Sequence, residues 1–255
     1  MLTQRLEGMP ILGKGLTSDV YAGEEGRVLK LFHTGRQAAK VEREYRITCS
    51  IHAAGLPVPA AYELIDVGGR HGIVFERVHG VSIFNQVQAR PWTLFSAVKF
   101  FAELHDHIHT FVAPADLPSQ RQWIADGIDA ANGVIEVQKD EARHRLEALP
   151  DGNVICHGDF HPDNVLITSR GPKIIDWSTA TRGHPLGDVA CTSRLIQSAS
   201  LPPWAALHAH LLLKFSRAFV HRTYLKRYLE VYPASRREID AWQDALSIAR
   251  PIPEW

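Results

Sequence analysis

Apolar and polar positions alternate in short runs over roughly the first 80 residues; beyond them apolar residues recur every three or four positions. The period therefore switches once, from strand to helix. Residues 9–13 and 19–23 read as strands, separated by the small, flexible run Lys14-Gly15-Leu16-Thr17-Ser18. In Arg27-Val28-Leu29-Lys30-Leu31-Phe32, alternation sets Lys30 on the opposite face from Leu29 and Leu31. The spacing of Ala38, Val41, Tyr45 and Thr48 predicts a helix over 37–54, closed by Gly55 and Pro57. Two further strands, 61–67 and 72–78, flank the turn Gly68-Gly69-Arg70. The pattern predicts an α+β unit: a five-stranded antiparallel sheet with one helix.

After His79-Gly80 the chain reads as mostly helical. Leu94, Val98, Phe101, Leu104 and Ile108 share one face of a core helix predicted over 93–111. Pro114 and Pro118 interrupt, and 120–149 reads as one or two helices with Trp123, Ile124, Ile128 and Ile135 on the apolar side. The opposite side carries Asp126, Asp129, Glu136, Asp140, Glu141 and Glu147. A solvated face explains those acids; a substrate wall is the alternative. Residues 165–168 and 172–175 flank Ser169-Arg170-Gly171 as a hairpin. Helical segments follow at about 186–198, 203–228 and 235–249. With no internal repeat and no low-complexity linker, the boundary falls near residue 80. This gives an N-terminal lobe, 1–79, and a helical lobe, 80–255.

Composition narrows the class. The chain has 255 residues, enough for two lobes with a core each. Lys plus Arg and Asp plus Glu number 28 each, so no overall field argues for nucleic acid or an anionic membrane. The first twenty residues hold no apolar core of signal-peptide length, and no apolar run approaches about 18 residues. The expectation is a cytoplasmic protein without a membrane span. Cys49, Cys156 and Cys191 lack CxxC spacing and read as free thiols in a reducing compartment.

The chemistry concentrates between Ile155 and Trp177, where Asp159, Asp163 and Asn164 precede an apolar hairpin that ends on Asp176. Carboxylates about 4 Å apart repel by roughly 4 kcal/mol at an effective dielectric near 20. Such a crowd implies a cation between its members, or a member that acts as a base. Upstream, Gly13 and Gly15 would let the backbone approach a phosphate and Ser18 would add a hydroxyl, although a simple turn accounts equally for the glycines. Lys30 on an inner strand face costs desolvation unless it meets an anion, and Glu44 on the following helix is placed to hold it. His157-x-Asp159-x-His161-x-Asp163 alternates metal-ligand types and raises a zinc hydrolase. Zinc, however, prefers nitrogen and sulfur in a tetrahedral set, and that reading leaves Lys30 and Glu44 without a purpose. His157 is expected to orient its loop from the core, and His161 to pack against the hairpin. His105 and His109, one turn apart, are expected in solvated or helix-end capping roles.

The run His157-Gly158-Asp159-Phe160-His161-Pro162-Asp163-Asn164, followed by Ile175-Asp176-Trp177, resembles the paired motif of the aminoglycoside phosphotransferase and choline kinase family, which has the protein-kinase-like fold. Gly158 and Trp177 stand where protein kinases carry arginine and phenylalanine, which favours the small-molecule branch. The resemblance implies that Asp159 accepts or orients the proton of the attacking hydroxyl, and that Asn164 and Asp176 hold Mg²⁺ on the nucleotide phosphates. It implies Lys30 on the α- and β-phosphates with Glu44 as its ion-pair partner, and a glycine loop of Gly13, Gly15 and Ser18, with Ser18 where a third glycine would fall. The backbone of Glu76 and Val78 would form the hinge that recognises the base of ATP, with GTP as the alternative nucleotide. Asp188, in Pro185-Leu186-Gly187-Asp188, is expected to brace the catalytic loop. Only eleven residues separate Asp176 from Asp188, without Ala-Pro-Glu, which leaves little room for an activation segment. The acceptor is thus expected to be a small hydroxyl compound (aminoglycoside-like, amino-alcohol or sugar), and the protein a monomer or weak dimer. From Trp177 onward ten basic residues face six acidic ones, a modest argument against a polycationic acceptor. A nucleotide-binding pseudokinase and a small protein kinase are the alternatives.

Overall fold

The computed structural model describes residues 9–198 and 207–249, the latter by backbone alone through 215. The first elements are β1 (Ile11–Lys14), β2 (Ser18–Ala22), β3 (Arg27–Phe32), α1 (Ala38–Ala53), β4 (Ala61–Val67) and β5 (Arg70–Glu76). Then come β6 (Val81–Ser82), α2 (Ile83–Ala89), α3 (Leu94–Ile108), α4 (Gln120–Asp129), α5 (Glu136–Glu147) and β7 (Val154–Cys156). The hairpin β8 (Val165–Thr168) and β9 (Gly171–Ile174) follows, then β10 (Thr181–Gly183), α6 (Pro185–Ser198), α7 (Leu207–Val231) and α8 (Arg236–Leu246). By internal contact, residues 9–81 group with Val165–Ser178, and 82–164 with 179–249. The hairpin that the sequence assigns to the later lobe thus belongs with the first sheet. The reason is visible: the Ile174 N–H donates to the Pro57 carbonyl at 2.8 Å, and Lys173 Nζ to that of Val58 at 3.1 Å.

The first unit is built on an antiparallel sheet of order β1-β2-β3-β5-β4. Alternation along β3 divides its side chains between two apolar clusters. Leu29 and Leu31 pack with Val67 on one face, while Phe32 packs with Val41 of α1 and Ile73 on the other. Lys30 shares the face of Phe32, the face that α1 covers, and Glu44 lies one turn along α1 from Val41. Gly55, at φ 94°, ends α1 in the left-handed region that glycine adopts without a Cβ penalty. The fifth strand begins at Arg70, two residues before its expected start, because Arg70 pairs with Val67 across a turn of only Gly68 and Gly69.

The second unit is mainly helical. Val98, Phe101, Leu104 and Ile108 of α3 are buried as the spacing predicts, and Phe101 meets Tyr224 of α7 with ring centroids 5.7 Å apart. Residues 120–149 form two helices; Ile135, expected on the apolar side, is 64% exposed because it sits before α5 as its N-cap. Three of the six acids of this stretch, Asp129, Glu136 and Asp140, gather on Arg143 at the surface. A capping box joins Ser235 and Glu238 at the start of α8, whose Ile239, Trp242, Ala245 and Leu246 are buried. The helix α2 and the short pair β7–β10 carry too few residues to show a period. Residues 203–206 of the expected helix over 203–228 lie outside the described residues. All three cysteines are free; burial pushes the Cys191 thiol up to about 12 and that of Cys156 well above its ordinary value, which makes both poor nucleophiles.

Candidate active site

Lys30 and Glu44 meet because β3 points one side chain at the helix that covers it. Lys30 Nζ lies 2.7 Å from Glu44 Oε1 and 3.0 Å from Asp176 Oδ1. Burial by itself would lower the Lys30 pKa, but the carboxylates of Glu44 and then Asp176 outweigh it and hold the ammonium charged above its ordinary range. Burial raises the pKa of Glu44, and Lys30 partly offsets this. An ammonium has three N–H donors. Two are used here, and the third is available to an anionic ligand.

Asp176 stands just past β9 with φ 62°, one of two described non-glycine residues in the left-handed region. Such a backbone costs on the order of 1–3 kcal/mol and is retained where the surroundings hold it. Trp177 is part of that hold: its ring is 1% exposed, and its indole N–H donates to the Ile174 carbonyl at 3.0 Å. A phenylalanine has no donor for that bond, which gives the tryptophan a local reason. The Asp176 side chain remains 39% exposed, so it keeps oxygen surface for a cation while paired to Lys30.

Asp159 is presented by a loop whose backbone groups are individually accounted for. Asp188 takes the His157 N–H on Oδ2 at 2.6 Å and the Gly158 N–H on Oδ1 at 2.8 Å. The expected brace is therefore a direct one. Thr179 Oγ1 donates to the His157 carbonyl, Thr192 Oγ1 to that of Phe160, and Asn164 Nδ2 to that of Asp159. Gly158 has φ 79°, and a Cβ there would lie 2.7 Å from the Thr179 carbonyl oxygen. Only glycine fits. The bond from Nδ2 leaves the amide oxygen of Asn164 as the atom it can offer a metal.

The histidines of the motif part company. His157 is fully buried, and its Nδ1 accepts the Asp159 N–H at 3.2 Å, the loop-orienting role expected of it. His161 has Nε2 3.7 Å from Asp159 Oδ2. Asp163, without an assigned duty, accepts from Ser82 Oγ at 2.7 Å and so ties the loop to the start of α2. Among the described residues, no three of His157, Asp159, His161 and Asp163 bring ligand atoms together as a zinc site would. His105 and His109 are buried rather than solvated, and both reach Asp188. The spacing hid nothing here: His105 and His109 lie one helical turn apart, and so do their partners Tyr224 and Tyr228, but no local pattern says the two pairs face each other.

The remaining sequence candidates lie in the first unit. Gly13, within β1, and Gly15, in the β1–β2 connection, are both exposed, and the Gly15 N–H donates to the Ser18 carbonyl at 2.8 Å. A Cβ on Gly15 would come within 3.1 Å of that carbonyl, whereas Gly13 has nothing within 4 Å. Ser18 is buried at the start of β2. The Glu76 N–H donates to the Ala60 carbonyl, so a hinge contact at Glu76 would fall to its own carbonyl; Val78 lies two residues past the end of β5.

Comparison with known proteins bears on the fold. It is similar to that of an aminoglycoside phosphotransferase crystallised with AMP-PNP and hygromycin B (TM-score 0.61, 20% identity, 94% of this chain and 84% of that one). A Streptomyces rimosus aminoglycoside phosphotransferase bound to ADP and streptomycin gives a TM-score of 0.61 at 18% identity, over 98% of this chain and 97% of that one. A choline/ethanolamine kinase family protein from Mesorhizobium loti gives 0.54 at 18% identity, over 98% and 84%. Among curated proteins, acyl-CoA dehydrogenase family member 11 from Gallus gallus is 29% identical over 184 residues, and its Homo sapiens counterpart 25% over 178. Each match takes in 60% of this chain but only 22% and 23% of the relative, so the chain spans about a fifth of their length. The profile of the phosphotransferase enzyme family matches residues 9–226. By that match, over most of its length, the chain belongs to the phosphotransferase enzyme family.

Proposed function

We propose that this phosphotransferase moves the γ-phosphoryl group of ATP, with Mg²⁺, to a hydroxyl of a small molecule. The observation that carries the reading is the Lys30–Glu44–Asp176 triad: a buried cation positioned by one carboxylate, touching a second that stays half-open. Phosphoryl transfer is mostly positioning and charge neutralisation, which needs a phosphate lysine, hard oxygen ligands and a base. Lys30 directs its remaining N–H to the α- and β-phosphates. Asp176 and the amide oxygen of Asn164 are the ligands for Mg²⁺, whose affinity is for oxygen; when bound, the ion neutralises phosphate charge. Asp159 accepts or orients the acceptor's proton. Glu76 through its carbonyl and Val78 through its N–H read the donor and acceptor on the adenine edge, and the backbone around Gly13, Gly15 and Ser18 covers the phosphates.

Acceptor chemistry is narrowed by charge. Of the six acids of α4 and α5 that would suit a polycationic aminoglycoside, Asp129, Glu136 and Asp140 are paired with Arg143 and Glu141 with Arg145, which weakens that face as a polycation site. An amino alcohol, a sugar or a hydroxyacyl thioester is the better class; the last enters because the curated relatives carry acyl-CoA dehydrogenase in their name. The test is ATP and GTP consumption against a panel of these acceptors and aminoglycosides, with Asp159→Asn beside the native protein. Turnover should fall by roughly 10² to 10⁴, the usual worth of a positioned base. Consumption that no acceptor stimulates would favour the pseudokinase alternative, and label on proteins the protein-kinase one.

A further inference from the structure

We propose that His105 and His109 are positioning residues for phosphoryl transfer: through Asp188 they hold the backbone that carries Asp159, and Tyr224 and Tyr228 hold them in turn. The catalytic half of this rests on the phosphotransferase reading above; the geometric half does not.

All five side chains are buried, His109 most exposed at 6%. Both imidazoles present Nε2 to Asp188 Oδ2, His105 at 3.1 Å and His109 at 3.3 Å. Each turns Nδ1 to a phenol, His105 to Tyr224 at 2.6 Å and His109 to Tyr228 at 2.7 Å. A carboxylate offers about four lone-pair directions. Asp188 gathers four N–H groups, both imidazoles and the His157 N–H on Oδ2 and the Gly158 N–H on Oδ1, and His157 and Gly158 are the residues just before Asp159. A nitrogen facing a carboxylate must carry the proton, so His105 Nε2 is a donor and its Nδ1 is bare. The Tyr224 hydroxyl supplies the proton that bare nitrogen needs. Remove it, and the ring gains a second tautomer whose lone pair would face Asp188.

A polar cluster this deep costs desolvation unless every member is satisfied. An apolar core would serve stability equally, so the cluster's distinguishing property is where its bonds end, on the loop of Asp159. A second tie confirms the direction: Thr192, four residues along α6 from Asp188, holds the Phe160 carbonyl. His105, His109 and Asp188 have ligand atoms within 4.8 Å of one another, but a metal there would have to replace the Nε2 protons that now bind Asp188 Oδ2. The titratable groups facing His105 are His109 on its own helix, Asp188 on α6, Tyr224 and Tyr228 on α7, and His157 on the loop.

Imidazole ¹⁵N shifts of the native protein test the geometry without activity. His105 should remain the neutral Nε2–H tautomer from about pH 8 to pH 5; an Nδ1–H tautomer, or titration at the ordinary histidine value, would overturn the proposal. Steady-state kinetics test the rest. Tyr224→Phe should lower kcat about tenfold with the KM for ATP little changed, and should shift the acid limb of kcat upward by about half a pH unit. His105→Gln, which keeps an N–H near the Nε2 position, should retain clearly more activity than His105→Leu. Unchanged kcat and pH profile in Tyr224→Phe, with the two His105 variants equal, would sink the positioning role. Should Tyr224→Phe not fold, the shifts and the His105 pair decide. The expected tautomer in a protein with no ATP-consuming activity would support the geometry and overturn the phosphotransferase reading together with the catalytic half.

Discussion

Single residues here show how much a buried charge depends on its partner. Lys30 and Glu44 have side-chain exposures of 15% and 3%, so removing the cation strands a carboxylate. Lys30→Met should destabilise the protein by about 3–5 kcal/mol, the cost of breaking one side of a buried pair. Lys30→Met with Glu44→Leu should recover much of that stability and none of the nucleotide binding. Thermal melts with calorimetry on ATP separate the two effects; equal melting temperatures for the single and double variants would refute the pairing. The sign of the linkage adds a condition. A lysine whose folded pKa is raised contributes its full stability below the ordinary lysine value and loses it only as pH rises through the higher folded one. The lysine's share should therefore be insensitive to pH over the neutral range. Asp176→Ala should leave the Lys30–Glu44 contact in place yet remove most of the Mg²⁺ dependence of ATP binding, read by titration with and without the metal.

At the level of elements, local chemistry and tertiary contact can be told apart. The capping box of α8 is a local device: the Ser235 hydroxyl accepts the Glu238 N–H, and the Glu238 carboxylate accepts the Ser235 N–H. Ser235→Ala should cost about 0.5–2 kcal/mol in denaturant unfolding and leave turnover unchanged. Element boundaries followed the same division. The span Ala61–Val67 is legible from alternation because its period is its own. The shift of β5 to Arg70 came from pairing across Gly68-Gly69, and the burial of His105 and His109 from α6 and α7, which no window around α3 contains.

For the molecule as a whole, mild acid should act through buried histidines: burial holds His221 down to about 4, and so it does His105. Its pKa falls to about 4, chiefly by burial, then by His109, against a free value near 6.5. The unfolded chain takes up a proton in that window while the native state does not, so stability is lost as pH falls from about 6.5 to 4. The loss amounts to on the order of 3 kcal/mol if the unfolded value is ordinary. Asp188 works in the other range. Burial alone would raise its pKa, but His105 and then His109 hold it well below the usual carboxylate range, so its contribution is lost only in stronger acid. Unfolding free energies measured from pH 7 to 4 check this, and a flat profile would refute it. His105→Gln should flatten the upper part of the curve.

The motif from His157 to Trp177, the strand alternation that turned Lys30 inward and the α+β pattern were determined by sequence alone. Each is carried by neighbours a few positions apart, where side-chain period and backbone preference act directly. Tertiary structure decided what those residues meet. Lys30 and Asp176 are 146 positions apart, and His105 and Tyr224 are 119 apart. It also made glycine obligatory at 158, gave Trp177 its bond to Ile174, and turned His105 and His109, expected in solvated or capping roles, onto Asp188. A burial period reports that a side chain faces the core, but not which partner waits there, because the partner is chosen by packing between elements distant in sequence.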